Sequence, residues 1–412
     1  MSTRPEFARL KPVIAGAVLC TLLAACTGKQ DAQQPAAKAS ADAPVLSVPL
    51  QRNGSWVVEA QDAQNKTHRV LLDTGASLSM FEPEGPLTAA PLTKAAEAAF
   101  LRQGALASPT DDGNLTAGVF GQAHKMALGL GPALRIQQWS LPAGTLVFRA
   151  KFGRLASADD QPFDAVIGIE HMRDLIWRAD YATGRLTAYA NAAPAHDWQQ
   201  CTFMTLATGT SIPLIEFSFE SESNYFAMDT GFDSDVKLPQ ELFENLENAK
   251  RFPHVQTTFT TDITNRVVPN PQGLLAGLAI GQKTLPRLKV NGGSADPLFG
   301  MGLLEKMDRF ELDFRHYRFC FDLPATPKDS TLTPSHSLLE RSGEHYEVIG
   351  LLPDGALAHS GVKAGDQIAM VDQTSVAKLD LDQVYALLGS GNTRQVTVQR
   401  GERTLVIDLK PN

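Results

Sequence analysis

Cysteine is scarce in this chain, with four in 412 residues, and the nine histidines are scattered without a His-Glu-x-x-His pattern. Neither Cys201 nor Cys320 has metal-ligand spacing to a second Cys or His, so the sequence calls for no metal and no cofactor. A Gly-x-Ser-x-Gly elbow is also missing, which argues against a serine hydrolase. Basic residues are outnumbered, 37 against 45, and they form neither a patch nor an aromatic-basic pattern; nucleic acid is therefore not expected as a partner. The apolar run from Val13 to Ala25 is too short to span a bilayer comfortably, and nothing after it approaches that length.

Two matching stretches organise the rest. Val70-Leu71-Leu72 runs into Asp73-Thr74-Gly75-Ala76-Ser77, and Tyr225-Phe226-Ala227-Met228 runs into Asp229-Thr230-Gly231-Phe232-Asp233. One Asp-Thr-Gly alone reads as a polar turn after a strand. Two, each behind an apolar strand, indicate an internal repeat. The surroundings agree. Trp56 to Ala60 with Arg69 to Leu72, and Leu214 to Phe219 with Tyr225 to Met228 across a turn at Glu220 to Asn224, each read as a hairpin. Downstream, Val166-Ile167-Gly168 and Leu298-Phe299-Gly300 precede short helical runs, Ile169 to Leu175 and Met301 to Met307. Strands carrying Asp180 and Asp313 close each copy.

Over about residues 45 to 323 this pattern resembles the aspartic proteases, and Asp-Thr-Gly-Ala-Ser resembles their retroviral-type branch. The resemblance implies a mainly β chain with two duplicated β-barrel lobes, 44–193 and 198–323, sharing one site. Asp73 and Asp229 are then the catalytic pair, taking one proton between them to activate water. Thr74 and Thr230 are expected to tie the loops together, and Gly75 and Gly231 to let them pack closely. Gly168 and Gly300 brace the loops from below. Ser77 and Asp233 are expected as outer hydrogen-bond partners of the carboxylates. The substrate implied is a protein or peptide, and a single chain holding both lobes predicts a monomer.

The N-terminus reads as a targeting signal, with Arg4, Arg9 and Lys11 ahead of the apolar run. Leu23-Ala24-Ala25-Cys26 resembles a lipoprotein signal box, which implies cleavage after residue 25 and lipidation of Cys26. Thr27 favours the outer over the inner membrane. Residues 26–43 then form a flexible tether of roughly 25 Å in a periplasm-facing protein. With Cys26 lipidated, Cys201 and Cys320 remain, on the expected first and last strands of the second lobe; a disulfide and two buried thiols both fit.

Pro83 to Ala107 has helical potential and reads as an insertion. Gly113 to Gly121 and Thr257 to Gly273 are candidate flaps, and Tyr225 is expected to pack inside. Residues 324–334 read as a linker with little to bury. In 335–412, Ser360-Gly361-Val362-Lys363-Ala364-Gly365-Asp366-Gln367-Ile368 resembles the helix-to-strand corner of a PDZ domain, a small α+β fold. A strand at His345 to Gly350, a helix at Leu381 to Leu388 and a hairpin from Gln395 to Leu409 surround it. Such domains take a peptide as an added strand and hold its carboxylate on a glycine-bearing loop. Pro334 to Leu339 has no glycine, which leaves substrate selection and gating as competing roles. A non-catalytic peptide-binding envelope lipoprotein is the alternative to a protease.

Overall fold

A computed structural model describes residues 42–409 apart from 51, 53, 94, 96–107, 110–114, 120–121, 151–162, 262–266, 333–336, 354, 390 and 391. The signal segment, Cys26 and the tether up to residue 41 therefore lie outside the described residues, as does most of the helical stretch expected before Ala107. Of the part that is described, Pro83 to Thr93 is turn and a short strand, Ala90–Pro91, and Ala95 is helical.

The described chain is mainly β, in sheets of 15, 11 and 6 strands. Alternating burial in Val57–Asp62 and a fully buried end in Thr67–Leu72 match a hairpin with one face on a core. Pro213–Phe219 and Glu222–Met228 form the second hairpin. Its turn is tighter than the sequence indicated: Glu220 adopts a positive φ of 55°, and Glu222 to Asn224 join the strand. The short apolar segments pair parallel with the strands that precede each Asp. Val166 lies beside Leu71, and Leu298 beside Ala227. The helices that follow are single turns, Ile169–Met172 and Met301–Leu304, shorter than the apolar runs allow.

The segments 44–193, which carries Asp73, and 198–323, which carries Asp229, join through one sheet. Strand Ile176–Asp180 pairs antiparallel with Arg309–Asp313, Ile176 opposite Asp313 and Asp180 opposite Arg309. One face of this seam is aromatic and fully buried: Trp56 stacks on Phe310 at 5.7 Å, and Trp177 and Phe319 extend the cluster. Each such ring contributes about 1.5–3 kcal/mol by leaving water, so the seam is a core. Cys201 and Cys320 face one another across adjacent strands and are joined as a disulfide.

The last sheet has its own core, with Tyr346, Val348, Ile368, Val384, Val396 and Val398 fully buried. Strands His345–Leu351, Gln367–Val371, Gln395–Arg400 and Arg403–Asp408 and helix Leu381–Gly389 lie close to their expected positions. Ser337–Ser342 departs from expectation: it is an edge strand, so Ser337 to Leu339 belong to the sheet and not to a loop.

Candidate active site

Both Asp-Thr-Gly loops are built alike from the backbone up. Val70 and Leu72 are fully buried, so the chain arrives at Asp73 inside the molecule. The Asp73 N–H donates to Ile167 O at 2.9 Å, and the Asp229 N–H to Phe299 O at 2.9 Å, which extends each parallel pairing by one residue. The Ile169 N–H then returns to Ala76 O at 2.8 Å, and the Met301 N–H to Phe232 O at 2.7 Å. Between these anchors sit Gly168 and Gly300. A Cβ on Gly168 would fall 2.7 Å from Ala76 O, and one on Gly300 would collide with Phe232 O. The apolar-apolar-Gly segment is a brace under each loop for that steric reason.

The loops meet through their threonines. The Thr74 hydroxyl donates to Met228 O at 2.8 Å and accepts the Thr230 N–H at 3.1 Å; the Thr230 hydroxyl donates to Leu72 O at 2.8 Å and accepts the Thr74 N–H at 3.0 Å. Both threonines are fully buried. Gly75 and Gly231 complete the approach. A Cβ on either would lie 2.7 Å from a carboxylate oxygen of the opposite Asp, Asp229 or Asp73.

Asp73 and Asp229 are thus within hydrogen-bond reach of each other. Asp229 is buried and Asp73 half-buried. Loss of water raises both carboxyls, and the charge of Asp73 raises Asp229 further, well above the carboxylate range. Opposing this, the Gly75 N–H donates to Asp73 Oδ1 at 2.8 Å and the Gly231 N–H to Asp229 Oδ1 at 2.9 Å. The pair is built to share one proton between its two carboxyls.

Ser77 and Asp233 do not take the expected place. Among the described residues neither bonds to a carboxylate of the pair; Ser77 is half-buried and Asp233 faces solvent. Backbone N–H groups fill that role because the turn aims them inward. Tyr225, expected inside, is 48% exposed.

The polar side chains that do support the loops were not singled out in the sequence. In the first, buried Ser79 accepts the Gly168 N–H at 2.9 Å, and Glu170 accepts the Ser79 N–H at 2.6 Å. Burial raises the Glu170 carboxyl, and it also lowers the neighbouring His171 imidazole to about 4. In the second loop Asp235, 1% exposed, accepts the Lys289 N–H at 2.7 Å, and its own carbonyl accepts the Gly300 N–H at 3.1 Å. Ser79 and Asp235 stand at equal distance after Asp73 and Asp229, and Glu170 and Gly302 at equal distance after Gly168 and Gly300. Each loop therefore has one supporting carboxylate besides its Asp: Glu170, largely buried, on the helical turn of the first, and Asp235 on the second loop itself. A polar residue six positions past each Asp, next to an apolar residue, was the available signal.

Among the described residues no group of three or more His, Cys, Asp or Glu is placed to hold a metal ion. No described helix is long and apolar enough to cross a membrane. No protein-family model matches the chain, and no curated protein matches it.

Proposed function

We propose that this protein is an aspartic endopeptidase. Its two lobes are a duplicated acid-protease pair, and Asp73 and Asp229 form its catalytic dyad. One observation carries the reading: two carboxyls brought within hydrogen-bond reach by loops that Thr74 and Thr230 cross-tie. Proximity without function would be an expensive arrangement, since burial and like charge both disfavour ionisation. Ionised Asp73 takes a proton from a bound water as the oxygen attacks the peptide carbonyl. Asp229 gives its proton to the carbonyl oxygen, forming a neutral gem-diol. Asp73 then returns a proton to the leaving amine, the C–N bond breaks, and Asp229 recovers its proton from the diol. No covalent intermediate is needed.

Candidate flaps flank this reading. Leu115–Val119 pairs with Gln122–Leu130, and Val255–Thr261 with Val267–Leu275, as two hairpins. Residues 335–412 are proposed as a PDZ-like domain that selects or gates substrate. The Tyr385 hydroxyl, from the helix, accepts the Leu339 N–H at 3.0 Å and donates to Ser337 O at 3.2 Å, so the edge-strand groups that an added peptide strand would use are bonded from within. A lipid on Cys26 would hold the protein at the envelope membrane, facing the periplasm.

The test is cleavage of casein and of a peptide library between pH 3 and 8 by the full-length protein and by Asp73→Asn. Hydrolysis by the parent alone supports the reading. No hydrolysis by either, with peptide still bound, favours the non-catalytic peptide-binding lipoprotein.

A further inference from the structure

The stretch read as a linker is not free. Residues 325, 326, 328, 329 and 331 are exposed, yet Ser330 in their midst is 5% exposed. Its N–H donates to Arg287 O at 2.8 Å, and the Arg287 N–H donates to Asp329 Oδ1 at 2.8 Å, with the Arg287 guanidinium on Asp329 Oδ2 at 3.0 Å. Two linker residues are thus strapped to the chain just ahead of strand Leu288–Ser294. From there the Ser330 hydroxyl donates to Asp235 Oδ2, the same oxygen that accepts the Lys289 N–H.

Asp235 needs this partner. A carboxylate 1% exposed is stable only when its oxygens are hydrogen-bonded or paired. Lys306 Nζ pairs with it at 3.9 Å from Oδ1, too far for a hydrogen bond. Asp235 also sits at the junction of the site: its carbonyl holds the Gly300 N–H, and Gly300 braces the loop of Asp229. The adjacent Ser234 hydroxyl accepts from Asn291 at 3.1 Å, Asn291 accepts from Gln272 at 2.8 Å, and Gln272 from Gln256 at 3.1 Å. Gln272 and Gln256 face each other in the hairpin proposed as the second flap. Two runs of polar side chains, mostly buried, therefore meet at the Ser234–Asp235 peptide: one comes from the linker through Ser330, the other leads through Asn291 and Gln272 to that hairpin.

We infer that Ser330 is a positioning residue: its hydroxyl holds Asp235, and through Asp235 the loop carrying Asp229, so that the linker is part of the site's support. The first copy does the equivalent work within itself, through Glu170 and Ser79. Among the described residues the second copy alone draws support from the segment leading to the C-terminal sheet, whose first described strand begins at Ser337. Tension or release in that segment would reach one half of the carboxyl pair.

The catalytic part of this inference rests on the proposed protease reading; the structural part does not. The experiment is hydrogen exchange by mass spectrometry on full-length parent, Ser330→Ala, Ser330→Thr, Asp329→Ala and the exposed-site control Thr331→Ala, with kcat and KM on the same samples. Ser330→Ala is expected to speed exchange across residues 229–236 and 287–302 by about tenfold, the loss of one hydrogen bond to a charged group, and to lower kcat with KM nearly unchanged. Ser330→Thr restores both, and Thr331→Ala matches the parent. If Ser330→Ala melts too low to compare, Asp329→Ala, which frees the strap but spares Asp235, is expected to give the same local pattern at smaller amplitude. No local rise in either variant overturns the inference, and so does a local rise with kcat unchanged in a parent that cleaves. If the parent cleaves nothing yet Ser330→Ala loosens residues 229–236, the protease reading fails and the strap stands.

Discussion

Thr74 and Thr230 make the same two bonds in opposite directions. Each donates its hydroxyl to the carbonyl just before the other's Asp, and each accepts the other's N–H. Four buried polar groups are satisfied by two side chains, with no water required. Thr74→Val would leave the Thr230 N–H and Met228 carbonyl without these partners. We expect it to cost about 1–3 kcal/mol for each orphaned group, seen as a lower urea midpoint at unchanged slope. Thr74→Ser keeps both bonds and should stay near the parent. Because the two threonines share one network, the double Val variant is expected to lose less than the two single losses combined.

Activity and stability should respond to pH in different ways. On the proposed protease reading hydrolysis needs one proton on the pair, so kcat/KM is expected to fall on both sides of an optimum. Asp73→Asn and Asp229→Asn each remove that arrangement and should lower kcat by roughly 10²–10⁴-fold.

Stability follows from the raised carboxyl of Asp229. The folded protein keeps a proton there at pH values where the unfolded chain has released it. The parent therefore loses stability as pH rises from the ordinary carboxylate range through the raised value. Asp229→Asn cannot ionise and escapes that loss. Melting temperatures of the two should nearly coincide at pH 3, and the variant should melt higher at pH 7, by about 2–4 °C for each kcal/mol of relieved repulsion. A variant that melted lower at pH 7 would show that the carboxyls do not repel one another in the fold.

The disulfide closes a long loop, since Cys201 and Cys320 are 119 residues apart in sequence. Cross-linking so much chain restricts the unfolded state. Replacing both cysteines by Ser is expected to lower stability by about 2–4 kcal/mol. The strands themselves should remain paired, because the ladder around the bond runs from Gln200 opposite Phe321 to Phe203 opposite Arg318. Equilibrium unfolding and the far-ultraviolet circular dichroism of the variant check the two statements separately.

Tyr385→Phe removes the hydroxyl that bonds Leu339 and Ser337. A fluorescein-labelled peptide with a free C-terminal carboxylate is expected to bind this variant about 3–10-fold more tightly than the parent, the worth of one neutral hydrogen bond. Fluorescence anisotropy measures it. Equal binding would mean that Tyr385 does not close the groove.

Much of this protein was legible in order along the chain. Apolar alternation located the hairpins before Asp73 and Asp229, because a half-buried strand must alternate. The repeat of Asp-Thr-Gly with Ile167-Gly168 and Phe299-Gly300 marked the loops and their braces, because close backbone approach admits only glycine there. Side-chain bonds between distant segments were not legible. Ser77 and Asp233 lie nearest the carboxylates in sequence, but the turn aims backbone N–H groups inward and leaves Asp233 in solvent. The support falls instead to Ser79 and Asp235, six positions past each Asp, and to Glu170 and Ser330, which no local pattern links to them. Composition alone makes residues 324–334 a linker; only the fold brings Ser330 to the buried carboxylate of Asp235. By itself the sequence determined where the two hairpins before the Asp-Thr-Gly loops lie and which two acids are matched by repetition. The tertiary structure decided which polar atoms meet, since hydrogen bonds to a buried charge depend on where chains cross and not on their order.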